Sequence, residues 1–249
     1  MRVAIISDMH GNDFAFAAVE ADIEKQAVDQ IVCLGDAIQG GPQPAQVVER
    51  LRRLNCPVVM GNADAWLVSG EETADEGIQE ERLIKMGEVR IWSLSQLTEE
   101  DISFISSFQP TVTVQLQDNL ELLCFHGSPV SFDDVILPAA LEDEFQKHLG
   151  AYAGHILTGG HTHAQQIRRI GELFFFNPGS VGFAYSHNQP DDDFHADPWA
   201  EYAILTVENG RTSLEFRRIP FDAADLIRIY RESGRPFAEE AIAQYESQS

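Results

Sequence analysis

Seven side chains able to donate an oxygen or an imidazole nitrogen to a cation fall in five short polar blocks. They are Asp8 and His10 in Asp8-Met9-His10, Asp36 in Gly35-Asp36, Asn62 in Gly61-Asn62, His126 in His126-Gly127, and His161 and His163 in Gly160-His161-Thr162-His163. Carboxylate, amide oxygen and imidazole suit hard or borderline divalent ions, and the set contains no thiolate. Seven donors exceed what one tetrahedral ion takes. They match two adjacent metals sharing a carboxylate, the arrangement that hydrolyses phosphate esters by clamping both reacting oxygens.

Taken singly, each block is ordinary turn chemistry, because Asp, Asn and Gly are turn residues wherever they occur. Gly-His-x-His says more, since alternate residues of an extended segment point the same way. Repetition in one setting decides the matter. The runs "VAIISD", "QIVCLGD", "PVVMGN", "LELLCFHG" and "HILTGGHTH" are each apolar and each end in a polar donor, so a joint site is the favoured reading.

The elements that must position these blocks can be read from periodicity. Residues 2–8 form a buried strand, and Asn12 caps a helix to Ala27 whose Phe14, Ala18, Val19 and Ile23 share a face. A second strand covers Gln30–Leu34. A helix burying Val47, Val48 and Leu51 follows, and Pro57–Met60 reads as a third strand. Strand–helix–strand–helix–strand order predicts parallel strands with right-handed crossovers and a ligand site beyond their carboxyl ends, where Asp8, Asp36 and Asn62 fall. Hairpins are predicted at Thr111–Leu116 with Leu120–Phe125, Gln166–Ile170 with Leu173–Phe176, and Tyr202–Val207 with Thr212–Ile219. They suggest a second, mostly antiparallel sheet. The expected fold is therefore α/β, a four-layer α/β/β/α sandwich of two mixed sheets. It forms one domain over 1–249, with a helical insertion at about 64–110 roofing the site and C-terminal helices at Asp222–Ser233 and Arg235–Tyr245.

In these ordered blocks, and in Asn177-Pro178-Gly179-Ser180, the chain resembles the calcineurin-like metallophosphoesterase superfamily, most closely its small prokaryotic phosphodiesterase branch. The resemblance covers about residues 1–183. It implies that Asp8, His10, Asp36 and His163 hold one metal, and that Asp36 bridges to a second completed by Asn62, His126 and His161. Two such cations hold a hydroxide deprotonated near neutral pH and neutralise the phosphate as charge builds. Mn²⁺ is the favoured ion, with Fe, Zn, Ni and Co also compatible with the donors. Asn62 suits a double role, its amide oxygen toward a metal and its NH₂ toward a phosphate oxygen. Many members follow the G-N block with a histidine thought to protonate the leaving group. Here Ala63 stands in that place and has no titratable atom. Esters with stable leaving groups, such as nucleotide phosphoanhydrides or aryl esters, should then be favoured. His187 and His195, in the loop after Asn177-Pro178-Gly179-Ser180, are the substitutes to weigh, with His187 the first choice. His148 and His155 have no motif context.

The 40 acidic and 17 basic residues leave a formal charge of −23. Such a surface repels long polyanions, which excludes duplex DNA and bulk RNA as substrates and leaves a small phosphoester or nucleotide. The acidic runs Glu71–Glu81 and Asp191–Asp193 read as solvated faces. Cys33, Cys56 and Cys124 form no C-x-x-C pair, and Met1 leads straight into a strand-like run. A cytoplasmic protein with no membrane span is expected, and homo-oligomerisation is left open. Three functions compete: a phosphodiesterase or nucleotide pyrophosphohydrolase first, then a phosphomonoesterase acting on protein or small molecules, then a non-catalytic interaction module of the same fold.

Overall fold

In the computed structural model, which describes residues 1–71, 80–190 and 193–246, the apolar run after Met1 forms strand β1 (Arg2–Ile6). Helix α1 (Asp13–Ile23) follows, and the Asn12 side chain accepts from the Ala15 N–H as its cap. Then come β2 (Gln30–Cys33), α2 (Pro44–Leu54), α3 (Asn62–Ser69), α4 (Glu80–Ser95) and α5 (Glu99–Ser106). The hairpin β3 (Val112–Gln117) and β4 (Leu120–Cys124) precedes α6 (Glu142–Leu149), β5 (Ile156–Thr158), β6 (Gln166–Ile170) and β7 (Leu173–Asn177). The chain continues through β8 (Trp199–Glu208), β9 (Arg211–Pro220), α7 (Ala223–Ser233) and α8 (Ala238–Ala243).

Two mixed sheets result, ordered β2-β1-β8-β9 and β3-β4-β5-β7-β6. Between them lies a buried apolar layer in which Val3, Ile5, Leu34 and Leu205 of the first sheet meet Leu122, Cys124 and Phe176 of the second. The outer face of the first sheet (Ala4, Ile6, Tyr202) buries Phe16 and Val19 of α1 and Val47, Val48 and Leu51 of α2. Leu157 and Phe175 of the second sheet bury Phe145 and Leu149 of α6. These are the four expected layers. A fourth cluster joins α7 and α8 through Leu226, Tyr230 and Ile242.

Several details differ from the sequence-based expectations. The third hairpin, β8–β9, belongs to the first sheet, where β8 lies antiparallel to β1. Its residues from Ala200 to Leu205 are buried without alternation, as a strand covered on both faces must be. The second sheet is less antiparallel than expected, since β4–β5 and β5–β7 pair in parallel. Residues 57–60 form no ladder. Val58 and Val59 make only single bridges, to Cys33 and Gln109, and Pro57 brings no N–H. On α1 the fully buried face is Ala15, Phe16, Val19 and Ile23, whereas Phe14 turns toward the α7–α8 cluster. Parts of the two acidic runs, residues 72–79 and 191–192, lie outside the described residues. Among the described residues no helix is long and apolar enough to cross a membrane.

Candidate metal centre

Four of the five donor blocks follow a strand of the two sheets, and the fifth opens a helix. Asp8 follows β1, Asp36 follows β2, His126 follows β4, His161 and His163 follow β5, and Asn62 opens α3. Five of the donors are non-glycine residues with left-handed backbone: Asp8 (φ 56°), His10 (45°), Asp36 (49°), His161 (67°) and His163 (53°). Such conformations cost of order 1 kcal/mol or more each and persist where surrounding structure over-determines them. Here the loops hold one another. Asp8 N–H donates to Gly35 O (2.9 Å), His10 N–H to Asp36 O (2.8 Å), Gly160 N–H to His126 O (2.9 Å) and Gly182 N–H to Asp8 O (3.0 Å). Ser180 Oγ also donates to Asp8 O (2.8 Å), and Asn177 Nδ2 donates to Gly160 O (2.6 Å), so the Asn-Pro-Gly-Ser turn buttresses the donor loops.

The donors converge as two triads, Asp8–His10–His163 and Asp36–His126–His161. Three of the histidines are fixed by their far nitrogen. Nδ1 of His10 lies 2.9 Å from Gln39 O, that of His126 2.8 Å from Leu34 O, and that of His163 2.6 Å from Phe183 O. A carbonyl only accepts, so each Nδ1 carries a proton and each Nε2 is the nitrogen turned inward, whose lone pair a cation takes in place of a proton. The inward atoms crowd one another. Nε2 of His10 and Nε2 of His163 stand 3.0 Å apart, and Nε2 of His126 stands 3.0 Å from Asn62 Oδ1. Asp8 Oδ1 is fully buried with no hydrogen-bond partner in the structure. Imidazole nitrogens, an amide oxygen and buried carboxylate oxygens that converge this closely are the donor set of a divalent cation, so the residues present fit divalent metal.

Asp36 joins the triads. Its Oδ1 accepts from the Ala63 N–H (2.8 Å), while Oδ2 lies 3.3 Å from His126 Nε2 and 3.8 Å from His10 Nε2. Gly61 makes this approach feasible by its lack of a side chain. Its φ of −90° is ordinary, but a Cβ there would collide with Asp36 Oδ1 and N.

The electrostatics are those of a site built around charge. Burial opposes ionisation of Asp36, yet the His126 imidazole beside it holds the carboxyl well below the usual carboxylate range. Burial likewise lowers the His126 pKa, but Asp36 outweighs it and brings it up to about 9. His163 is raised in the same sense by Asp8 against burial, and Asp8 is lowered by His163. Burial dominates at His10 and His161, which are pushed down and are therefore neutral.

A cavity of about 810 Å³ opens beside His10, Asn62 and His161 and is walled by Trp66 of α3, Met86 of α4 and Phe237 at the start of α8. His187 is not brought into it. That residue is exposed, its Nε2 is held 2.6 Å from Thr162 O, and its ring rests on Tyr185. His195 pairs with Asp193 (2.9 Å) and His148 with Asp134 (3.0 Å). Sequence reasoning missed Asp64. It is fully buried, accepts from the N–H groups of Ala37 and Ile38, and is pushed up to about 7 by burial and by Asp36. Its place two residues after Asn62 was the available signal. Arg235, which donates through Nε to Gly40 O (2.6 Å), was also missed, and no motif marks it.

With this geometry in place, comparison with known proteins defines the class. The model of the calcineurin-like phosphoesterase superfamily domain matches residues 1–210. The chain belongs to that superfamily and is a metal-dependent phosphoesterase. An uncharacterized protein of Methanocaldococcus jannaschii is 28% identical over 238 residues, covering 88% of each chain. A metallophosphoesterase from Sphaerobacter thermophilus shares the fold at a TM-score of 0.71 and 24% identity, covering 98% of this chain and 97% of its own. A hypothetical protein from Pyrococcus horikoshii matches at 0.79 and 17%, covering 100% and 99%.

Proposed function

We propose that the chain is a phosphodiesterase or nucleotide pyrophosphohydrolase with a binuclear centre. Asp8, His10 and His163 would hold one ion, Asn62, His126 and His161 the other, and Asp36 both. The carrying observation is the Asp36 carboxylate, whose Oδ2 faces a histidine nitrogen of each triad while Oδ1 is pinned by Ala63 N–H. Mn²⁺ suits this mixture of carboxylate, amide oxygen and imidazole.

When bound, the two ions would activate water at neutral pH and neutralise the phosphate oxygens. The chain's own residues orient and exclude. The Nδ1 hydrogen bonds of His10, His126 and His163 fix the tautomer that leaves Nε2 free. Asn62 offers its NH₂ to a phosphate oxygen while its Oδ1 faces the second triad. Ala63 lines the cavity beside it and supplies no proton, so the departing oxygen must carry its own charge. Trp66 of α3 and Met86 and Val89 of α4 line the cavity wall and act as the roof that selects what enters.

The test is a substrate panel on metal-stripped protein with Mn²⁺ added back: an aryl phosphodiester, an aryl phosphomonoester and a dinucleoside polyphosphate. Turnover of the diester or the polyphosphate above the monoester is expected. A monoester preferred over both by tenfold or more would replace this reading with a phosphomonoesterase.

A further inference from the structure

The cavity beside the metal centre carries charges that the centre does not use. Apart from the histidines, its charged lining residues are Arg82, Lys85, Asp133, Arg235 and Glu240. Lys85 is spoken for, with Nζ 3.0 Å from Glu240 and 3.2 Å from Glu81. Arg82 and Arg235 differ. Neither has a carboxylate within ion-pair distance among the described residues, although Glu240 acts on Arg235 from farther off.

Arg235 is anchored through one side of its guanidinium. Nε donates to Gly40 O (2.6 Å), Nη1 donates to Pro236 O (2.8 Å) and Phe237 O (3.3 Å), and the group lies over the Tyr230 ring at 5.8 Å. Nη2 has no protein acceptor among the described residues. Gly40 adjoins Gln39, whose carbonyl fixes His10, so this guanidinium is placed rigidly beside the first triad. Arg82 stands on α4, exposed, and lines the same cavity. Two guanidinium groups lining the cavity beside the metal centre, in a chain of net charge −23, offer the forked donors that an entering anion can take. The rest of the wall is apolar and aromatic, with Trp66, Leu83, Met86 and Phe237, a surface on which a flat base can lie. Residues 235–244 fall beyond the superfamily match at 1–210.

We propose that Arg82 and Arg235 form a receptor for a second phosphate, and that the preferred substrate is a nucleotide carrying a phosphoanhydride. This deepens the proposed function and rests on it. The arginines grip the phosphate next to the one being attacked, which also neutralises a leaving group that Ala63 cannot protonate. Phosphoanhydride cleavage here is hydrolysis: water adds to one phosphorus, the bridging P–O bond breaks, and the bridging oxygen leaves as a phosphate anion.

The experiment is calorimetric titration of Mn²⁺-loaded protein with AMP and with non-hydrolysable α,β-methylene-ADP. The second ligand is the more anionic, so without a local receptor the −23 chain should not favour it. Wild type is expected to bind it about tenfold or more tightly than AMP, and that ratio should fall by about tenfold in Arg82→Gln and in Arg235→Gln. Arg235→Lys should keep part of it. Arg82 is exposed, so its variant stays readable if loss of the Gly40 hydrogen bond disturbs Arg235→Gln. A wild-type ratio near one, or a ratio that survives both glutamine variants, overturns the receptor. Turnover of bis(p-nitrophenyl) phosphate by the same wild-type preparation tests the phosphoesterase reading separately, because it involves no second phosphate.

Discussion

Asp36→Asn isolates the feature on which the binuclear reading depends. The substitution keeps the shape of the side chain and removes its charge. Oδ1 of Asp36 accepts from Ala63 N–H at 2.8 Å, and Oδ2 sits 3.3 Å from His126 Nε2 and 3.8 Å from His10 Nε2. An asparagine can satisfy Ala63 only by turning its NH₂ toward the triads, and its alternative flip sets NH₂ against N–H. Either way a donor replaces an acceptor in a site built for cations. A unit charge pair at about 4 Å in an effective dielectric of about 20 is worth about 4 kcal/mol. That energy corresponds to about three powers of ten in rate. The expected result is a fall in kcat of about a thousandfold on an aryl phosphodiester at saturating Mn²⁺. Metal content by mass spectrometry should fall toward one ion per chain. His148, paired with Asp134 away from the triads, provides the control, and His148→Ala should leave kcat within a few-fold. A drop of less than tenfold in Asp36→Asn with both ions retained would refute the bridging role.

Chelation should abolish hydrolysis, Mn²⁺ should restore it at two ions per chain, and binding should raise Tm; saturation at one ion with full activity would sink the two-metal reading. Metal must displace the proton that Asp36 holds on His126 up to about pH 9, so apparent affinity should rise with pH from 6 to 9 and level off above. Titrations in buffers of different ionisation enthalpy measure that proton release, and a pH-independent affinity contradicts it. With Ala63 beside the site, rates should depend steeply on leaving-group pKa. His187→Ala, with Nε2 committed to Thr162 O, should slow aryl and alkyl esters alike, whereas selective slowing of alkyl esters would make His187 the acid. Gly61→Ala should abolish binding of the Asp36-dependent metal while the chain still folds, because the added methyl strikes Asp36; two ions bound at wild-type affinity would show that the loop can yield.

What could be read from the chain was what local chemistry determines. The donors announced themselves because each ends an apolar run. Asn12 announced α1 because a side-chain acceptor before a periodic segment is a cap. Partner choice between sheets was not local. The β8–β9 hairpin has the same signal whichever sheet it joins, and only the packing of Ala203 and Leu205 against β1 decides. The extended segment at 57–60 looked like a strand because Val58 and Val59 are buried, yet burial does not require a ladder. Arg235 was illegible because its meaning comes from Gly40, 195 residues away.

The division of donors between the sheets explains why the strained loops are tolerated. Asp8, His10 and Asp36 come from the first sheet, and His126, His161 and His163 from the second. Each triad mixes the two, with His163 crossing to Asp8 and His10, and His126 and His161 crossing to Asp36. Strands of two stacked sheets end about 10 Å apart, so side chains meet only if the backbone turns sharply inward after the last paired residue. Left-handed residues in the loop just after a strand make that turn, and five donors occupy such loop positions, two to five residues past a strand end. The strain is therefore a consequence of convergence. It is held by the inter-loop hydrogen bonds of Asp8, His10 and Gly160, and a cation shared by the converged donors would draw the two sheets together at the same point.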